Sequence, residues 1–271
     1  MAFVQLKPAA PLHDVIESIW DWQVEPDRFQ LERILPAPGS SLIINLLEDE
    51  SRVYADDAGL ACERSDGAVF SGQFTRSFVI DTYEQISVIG VMFKPAGARS
   101  ILRERMDVFG NAHTNLQAIV GDTGARLRER LLQMNSAHER LAAVEAWLRA
   151  RCTPACAHAA IDYALDALDR YPQVQRIDRL VRESGLSQRR FSTLFREHVG
   201  IAAKPYVRML RFRRVVAQAR PGVDWSRVAA DCGFHDQPHL NREFRAFSGM
   251  TPSQYLARNG LYTNHVALPP A

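Results

Sequence analysis

The stretch Cys232-Gly-Phe-His-Asp-Gln-Pro-His-Leu-Asn-Arg-Glu-Phe244 sets two histidines, His235 and His239, four residues apart, with Cys232 three before the first and Asp236 beside it. Side chains at i and i+4 lie on one face of a helix. These residue types could therefore hold a zinc ion, pair as acid and base, or present a polar surface to a partner. Which chemistry applies depends on the side of the local structure to which each is turned.

A second copy of the pattern answers that question. Ile177–Gly200 matches Trp225–Gly249 in spacing, with one extra residue in the second turn. Ile177, Leu180 and Val181 correspond to Trp225, Val228 and Ala229, then Gly185 to Gly233, and Phe191 and Phe195 to Leu240 and Phe244. Each copy reads as a short helix, a turn whose glycine takes a positive φ, and a second helix capped by Ser187 or Asp236. Leu186 or Phe234 plugs the space between the helices. The second helix buries Phe191, Leu194 and Phe195, or Leu240, Phe244 and Phe247. Cys232 falls at the end of the first helix, where the other copy has Ser184, and so faces away from the histidines. No metal site and no cofactor are expected, and the irregular Cys152, Cys156 and His158 group matches no zinc spacing.

Two short helices across a glycine turn, twice, is a helix-turn-helix pattern. The faces left free carry Gln188, Arg189, Ser192, Thr193 and Arg196 in the first copy, and Gln237, His239, Asn241, Arg242 and Arg245 in the second. Such side chains suit base edges and phosphates. The segment Tyr206–Arg220 between the copies predicts a long helix, with Pro205 as its first residue, burying Met209, Phe212, Val216 and Ala219. Arg208, Arg211 and Arg214 run along another side of it.

Charge agrees with this division. The whole chain of 271 residues carries only +2, but residues 157–271 hold 17 Lys and Arg against 10 Asp and Glu, leaving the remainder at −5. A basic domain joined to an acidic one suggests a polyanion reader attached to a domain with a different partner. The competing reading of the basic domain is an interaction module that binds DNA without preference or binds an acidic protein.

Upstream, Ser41–Leu47, Ala68–Phe74, Ser77–Tyr83 and Ser87–Phe93 are short, rich in Val, Ile and Phe, and bounded by turn formers, which predicts strands. Ser136 and Glu139 stand in capping-box spacing ahead of a helix through Leu148, preceded by a less regular helix over Ala125–Met134. Thr153 and Pro154 break that periodicity. The expected fold is α+β in two domains. Residues 1–150 form a small β-barrel or sandwich with trailing helices, 151–157 a linker, 158–260 an all-α domain of two helix-turn-helix units joined by a long helix, and 261–271 a tail.

With 46% hydrophobic and 24% charged residues the composition is that of a globular protein. No apolar run approaches the ~20 residues that cross a bilayer, and no basic-then-apolar leader opens the chain. A cytoplasmic protein with reduced cysteines is expected. There is no G-x-S-x-G, H-E-x-x-H or phosphate-cradling glycine loop, so no enzymatic activity is expected.

The residues Gly185–Phe212 and Val228–Tyr255, the latter with Gly-Phe, Asp-Gln, His-Leu and Gly-Met-Thr-Pro, resemble the AraC/XylS transcriptional regulators. That resemblance covers Ala159 to about Arg258. It implies a seven-helix DNA-binding domain whose two recognition helices enter neighbouring major-groove segments. Carried over by position, it implies base contacts by Arg189, Ser192, Thr193, Gln237, Pro238, His239, Asn241 and Arg242. Phosphate contacts are expected from Gln188, Arg196, Arg208, Arg211 and Arg245. Thr193 stands where the family often has Arg, and Ala202-Ala203-Lys204-Pro205 replaces a usual Ser-Pro, which shifts weight onto Arg189. Residues 1 to about 150 resemble the sensing domain of one branch of these regulators through Arg33–Leu46, Phe70–Phe78 and Val88–Leu102. This implies a small-molecule effector, with Arg33, Asn45 and Arg76 as candidate contacts, and a homodimer or RNA polymerase as further partners.

Overall fold

The computed structural model describes all residues except 1, 26–29, 56, 58, 60, 154–157, 171–175, 259–262 and 269–271. Cys156 and most of the expected linker lie outside the described residues. The amino-terminal half is built from strands β1 (Ala2–Leu6), β2 (Ile16–Gln23), β3 (Leu31–Ile34), β4 (Ser41–Asn45), β5 (Glu50–Tyr54), β6 (Cys62–Asp66), β7 (Ala68–Ser71), β8 (Phe78–Asp81), β9 (Ser87–Phe93) and β10 (His113–Asn115). They form two antiparallel sheets ordered β1-β2-β9-β4-β7-β10 and β3-β8-β5-β6. Of the two expected forms, barrel or sandwich, the barrel does not close: the domain is built on two separate sheets.

Period-2 alternation aims one side of the first sheet at a core. Leu42, Ile44, Phe70, Ile89, Val91 and Phe93 are all buried there. They pack on α1 (Arg99–Leu102), α2 (Leu116–Val120), α3 (Asp122–Leu132) and α4 (Ala137–Arg151) through Leu116, Leu127, Leu131, Leu141, Val144 and Leu148. The helix expected over Ala125–Met134 begins three residues earlier and ends two earlier. Ser136 does occupy the amino-terminal cap of α4, but its side chain accepts no capping hydrogen bond. The ion pair of Arg140 with Asp21, 2.6 Å between Nε and Oδ2, ties α4 to β2 inside this core.

The second sheet carries a buried polar cluster. Arg52 donates to Asp81 (2.8 Å), Glu50 (2.9 Å) and Glu48 (2.6 Å), and the Tyr54 hydroxyl donates to Asp81 (2.8 Å). Burial opposes ionisation of Asp81, but hydrogen bonds from Arg52 and Tyr54 overcome it and hold this carboxyl below its usual range. Glu84 accepts from the Arg52 N–H and lies 3.9 Å from the Arg52 guanidinium, but burial, followed by the charge of Asp81, outweighs these and pushes its carboxyl up to about 9. Between the ordinary value of 4.5 and 9, the unfolded chain releases a proton that the folded chain keeps, so stability falls as pH rises through that window. Glu84→Gln keeps the acceptor and removes the titration. Thermal melts are expected to show the variant gaining on the parent steadily from pH 5 to 9, by more than about 5 °C at pH 8; parallel pH profiles would refute this account.

The carboxy-terminal half contains α5 (Ala159–Arg170), α6 (Ile177–Glu183), α7 (Gln188–Val199), α8 (Ala203–Gln218), α9 (Trp225–Asp231), α10 (Gln237–Ser248) and α11 (Pro252–Arg258). The two copies are equal in helix length: α6 and α9 have seven residues each, α7 and α10 twelve. Gly185 and Gly233 take φ of +69° and +76° between the paired helices. At Gly185 a Cβ would meet nothing within 4 Å, so glycine is there for the backbone conformation alone. The central helix starts at Ala203, placing Pro205 third rather than first. That position still lies in the first turn, where a missing N–H costs no helical bond.

Within the expected tail, the described residues 263–268 include a strand. His265–Ala267 forms β11, antiparallel to β3, and extends the second sheet to β11-β3-β8-β5-β6. Val266 and Leu268 are 0% and 2% exposed, and Val266 and the amino-terminal Leu35 join the helical core. A polar-to-apolar run of three residues gives too little pattern to announce a strand; the open edge of β3 supplies the reason for one. Among the described residues no helix is long and apolar enough to cross a membrane.

Candidate nucleic-acid interface

Each recognition helix is held by the same local devices. The Ser187 side chain accepts from Arg190 N–H and caps α7; Asp236 accepts from His239 N–H at 2.7 Å and caps α10. Phe191, Phe195, Leu240 and Phe244 are all 1% exposed or less, and Phe212 of α8 packs edge-on against Phe244 and stacks on Phe247. With those faces buried against α8, the remaining ones turn outward.

On α7, Gln188, Arg189 and Arg196 are exposed and Ser192 and Thr193 partly so. On α10, Pro238, Arg242 and Arg245 are exposed and Gln237, His239 and Asn241 partly so. Pro238, Asn241, Arg242 and Arg245 line one shallow groove with Ala246 and Thr251. The geometry thus brings these four expected residues together and adds Thr251, which stands in the Gly-Met-Thr-Pro segment after α10. Gln237 accepts a hydrogen bond from the Ser226 hydroxyl at 3.1 Å, which links the starts of α9 and α10.

His239 is turned back toward its own turn. Its ring packs edge-on on Phe234 and its Nδ1 accepts from the His235 N–H at 3.3 Å. Cys232 lies behind, fully buried, accepting from Gln218 at 3.3 Å, with burial pushing the thiol up to about 11. The cysteine and the histidines therefore occupy different sides of the turn. Among the described residues no group of three potential metal ligands converges anywhere.

Arg208, an expected phosphate contact, has a protein partner in the structure. Its guanidinium donates twice to Glu243 of α10, at 2.7 and 2.9 Å, and lies over the Phe247 ring. It braces α10 against α8. Sequence reasoning overlooked Glu243, whose signal was a lone acid on an otherwise basic, polar helix. Alanine at either position is expected to weaken specific binding about fivefold, the size of an exposed to half-exposed pair. The swap Arg208→Glu with Glu243→Arg is expected to recover most of it in a filter-binding titration. A swap that stays weak, with a shallower salt dependence, would return Arg208 to the phosphate-contacting set. Arg211 is half-exposed and Arg245 exposed.

The three effector candidates have different surroundings. Asn45 is 0% exposed and its Oδ1 accepts from the N–H groups of Leu47 and Glu48, so it serves the turn after β4. Arg33 donates to the Ser77 hydroxyl at 2.8 Å and pairs with Asp57, while a Cβ at Gly249 would lie 3.3 Å from its guanidinium. It is a domain-junction residue. Arg76 is exposed. The void between the domains, lined by Gly39, Gln73, Met106, His198 and Val199, has room for about one water molecule.

The amino-terminal domain touches the carboxy-terminal ends of both recognition helices. At α7, Arg99 donates to the Glu197 carbonyl at 3.0 Å, Arg105 reaches the Glu197 carboxylate at 3.5 Å, and the turn Met106–Phe109 packs alongside. Asp107 in that turn is held below its usual range by hydrogen bonds from Arg105, with Arg196 contributing. At α10, the Ser77 N–H donates to the Phe247 carbonyl at 3.0 Å, next to the Arg33 contact at Gly249.

Two family models match the chain. Residues 180–258 match a helix-turn-helix domain, and residues 4–115 match a domain described only as of unknown function, DUF6597. No curated protein matches. Among solved structures, ToxT from Vibrio cholerae is 10% identical over 95% of this chain and 98% of its own, with a TM-score of 0.46. The DNA-binding domain of AdpA, in complex with a target DNA, is 22% identical over 37% of this chain and 92% of its own, with a TM-score of 0.34. An AraC-type regulator from Chromobacterium violaceum is 21% identical over 36% and 89%, also with a TM-score of 0.34.

Proposed function

We propose that this chain, whose residues 180–258 match a helix-turn-helix family model, is a DNA-binding transcriptional regulator of the AraC/XylS type, and that its two helix-turn-helix units read a defined promoter sequence under control of an effector acting at the amino-terminal domain. The observation that carries the reading is the pair of equal-length recognition helices on one central helix, each with its apolar side buried, α7 turning Arg, Gln, Ser and Thr outward and α10 turning Arg, Gln and Asn outward. Arg189 on α7, with Asn241 and Arg242 on α10, are the proposed principal base readers. Ser192, Thr193, Gln237, Pro238 and His239 are proposed to contribute at the margins, Pro238 by apolar contact with a thymine methyl. Gln188, Arg196, Arg211 and Arg245 are the proposed phosphate contacts.

For both helices to reach the same side of a duplex, their sites must lie about one turn, ~34 Å, apart. Effector control is supported by the contacts of the amino-terminal domain on both recognition helices, since a change in that domain has a direct mechanical route to the readers. A homodimer would add a second, symmetry-related site.

The test is selection of bound duplex from a random pool by the full-length protein, followed by titration against excess random DNA. The expected result is an enriched sequence with two recognised segments, bound ~10³-fold or more tighter than random duplex. Retention of all duplexes alike, or of none, would overturn the reading in favour of a non-specific or protein-binding basic module.

A further inference from the structure

The two helix-turn-helix units are connected twice. One connection is α8, which packs against α7 on one side and against α9 and α10 on the other. The second runs through the amino-terminal domain, which holds the end of α7 at Arg99, Arg105 and Met106 and the end of α10 at Arg33 and Ser77. A helix alone is a single strut about which either unit could pivot. Two struts fix an angle.

A further contact with the second unit runs through β11. This strand lies between β3 and α11: Leu35 N–H donates to Asn264 O at 2.8 Å, Leu268 N–H to Leu31 O at 2.9 Å, and Gln30 Nε2 to Leu268 O at 3.3 Å. His265 Nδ1 lies 2.9 Å from the Glu32 carboxylate. From the other side the Tyr255 hydroxyl of α11 donates to Thr263 O at 2.9 Å, and buried Val266 packs into the helical core. Chain that continues past the second unit thus returns to the very strand whose Arg33 touches the carboxy-terminal cap of α10.

We infer that the carboxy-terminal strand His265–Ala267 is a positioning element for DNA recognition, which fixes the second helix-turn-helix unit to the amino-terminal domain and so sets the spacing between the two DNA segments read. The inference rests on the sequence-specific reading above. It assigns the strand a share in a spacing that α8 would otherwise set by itself.

The experiment uses the full chain and random-pool selection. Val266→Asp places a charge where nothing is exposed, which releases the strand. The intact protein is expected to enrich two segments at a single spacing, and the variant the same two segments at spacings spread over several base pairs. To separate release from misfolding, Glu32→Cys and Ala267→Cys are added to Val266→Asp. These positions face each other in register between hydrogen-bonded pairs, where Cα atoms approach closely enough for a disulfide. The triple variant is expected to show spread spacing when reduced and the single spacing when oxidised, with the crosslink verified by peptide mapping. A single spacing in the released and reduced proteins, or a spread that oxidation does not narrow, would overturn the positioning role while leaving sequence-specific binding intact. If the intact protein enriches no sequence, the reading beneath it falls as well.

Discussion

Arg242→Ala is expected to weaken binding to the selected site by about 1–3 kcal/mol, roughly 5- to 150-fold, and to relax preference at one or two base pairs. Arg242 is exposed on α10, in the groove it shares with Pro238, Asn241, Arg245 and Thr251. A guanidinium on the open side of a recognition helix matches the paired acceptors of guanine in the major groove. Arg245→Ala, one turn further along, provides the contrast. Removing a phosphate-binding guanidinium there is expected to weaken specific and random duplex alike and to reduce the slope of log K against log salt by about one. Fluorescence anisotropy on both duplexes at several salt concentrations separates the two. Equal weakening by Arg242→Ala on both duplexes would demote it to a phosphate contact.

The second large effect concerns stability. The side chains of Arg140 and Asp21 are 6% and 2% exposed, joined at 2.6 and 3.2 Å, and Arg140 also donates to Met134 O at 2.9 Å. Arg140→Leu leaves the Asp21 carboxylate buried without its counter-charge, which is expected to destabilise by about 3–5 kcal/mol. In a chain of this size that lowers the melting temperature by roughly 10 °C or more. The double replacement Asp21→Leu with Arg140→Leu removes both charges and is expected to regain most of the loss, because an apolar pair of similar volume avoids the desolvation of two ions. Differential scanning calorimetry decides it. A double variant no more stable than Arg140→Leu would show that packing of the arginine stem, rather than the stranded charge, dominates.

Much of the helical domain was legible because its determinants are local. Ser187, Asp236, Gly185 and Gly233 act on the backbone within a few residues of themselves, and the aromatic spacing of Phe191–Phe195 and Leu240–Phe244 states which face is buried. Duplication reinforced each signal. The outward side of α10 could therefore be named residue by residue from the sequence. The amino-terminal domain was less legible: β2, β3, β5 and β6 carry charged or polar residues at many positions, and β2 and β3 also take partners, β9, β8 and β11, that are distant in the chain.

The local code named some residues without showing their partners. Asn45 and Arg33 looked like polar residues waiting for a ligand, yet one satisfies a turn and the other meets the second helix-turn-helix unit. Arg208 looked like one of a row of phosphate-binding arginines until Glu243 stood opposite it.

By itself, then, the sequence determined the two readers, their turns, their buried and outward faces and the helix that joins them, because periodicity, caps and glycine conformations are properties of neighbours along the chain. Only the tertiary structure decided how those readers are held. The contacts of Arg99 with Glu197, Ser77 with Phe247, Arg208 with Glu243 and β11 with β3 join residues from 35 to more than 200 positions apart, and pairing at such distances is set by the packing of whole domains, which no local pattern encodes.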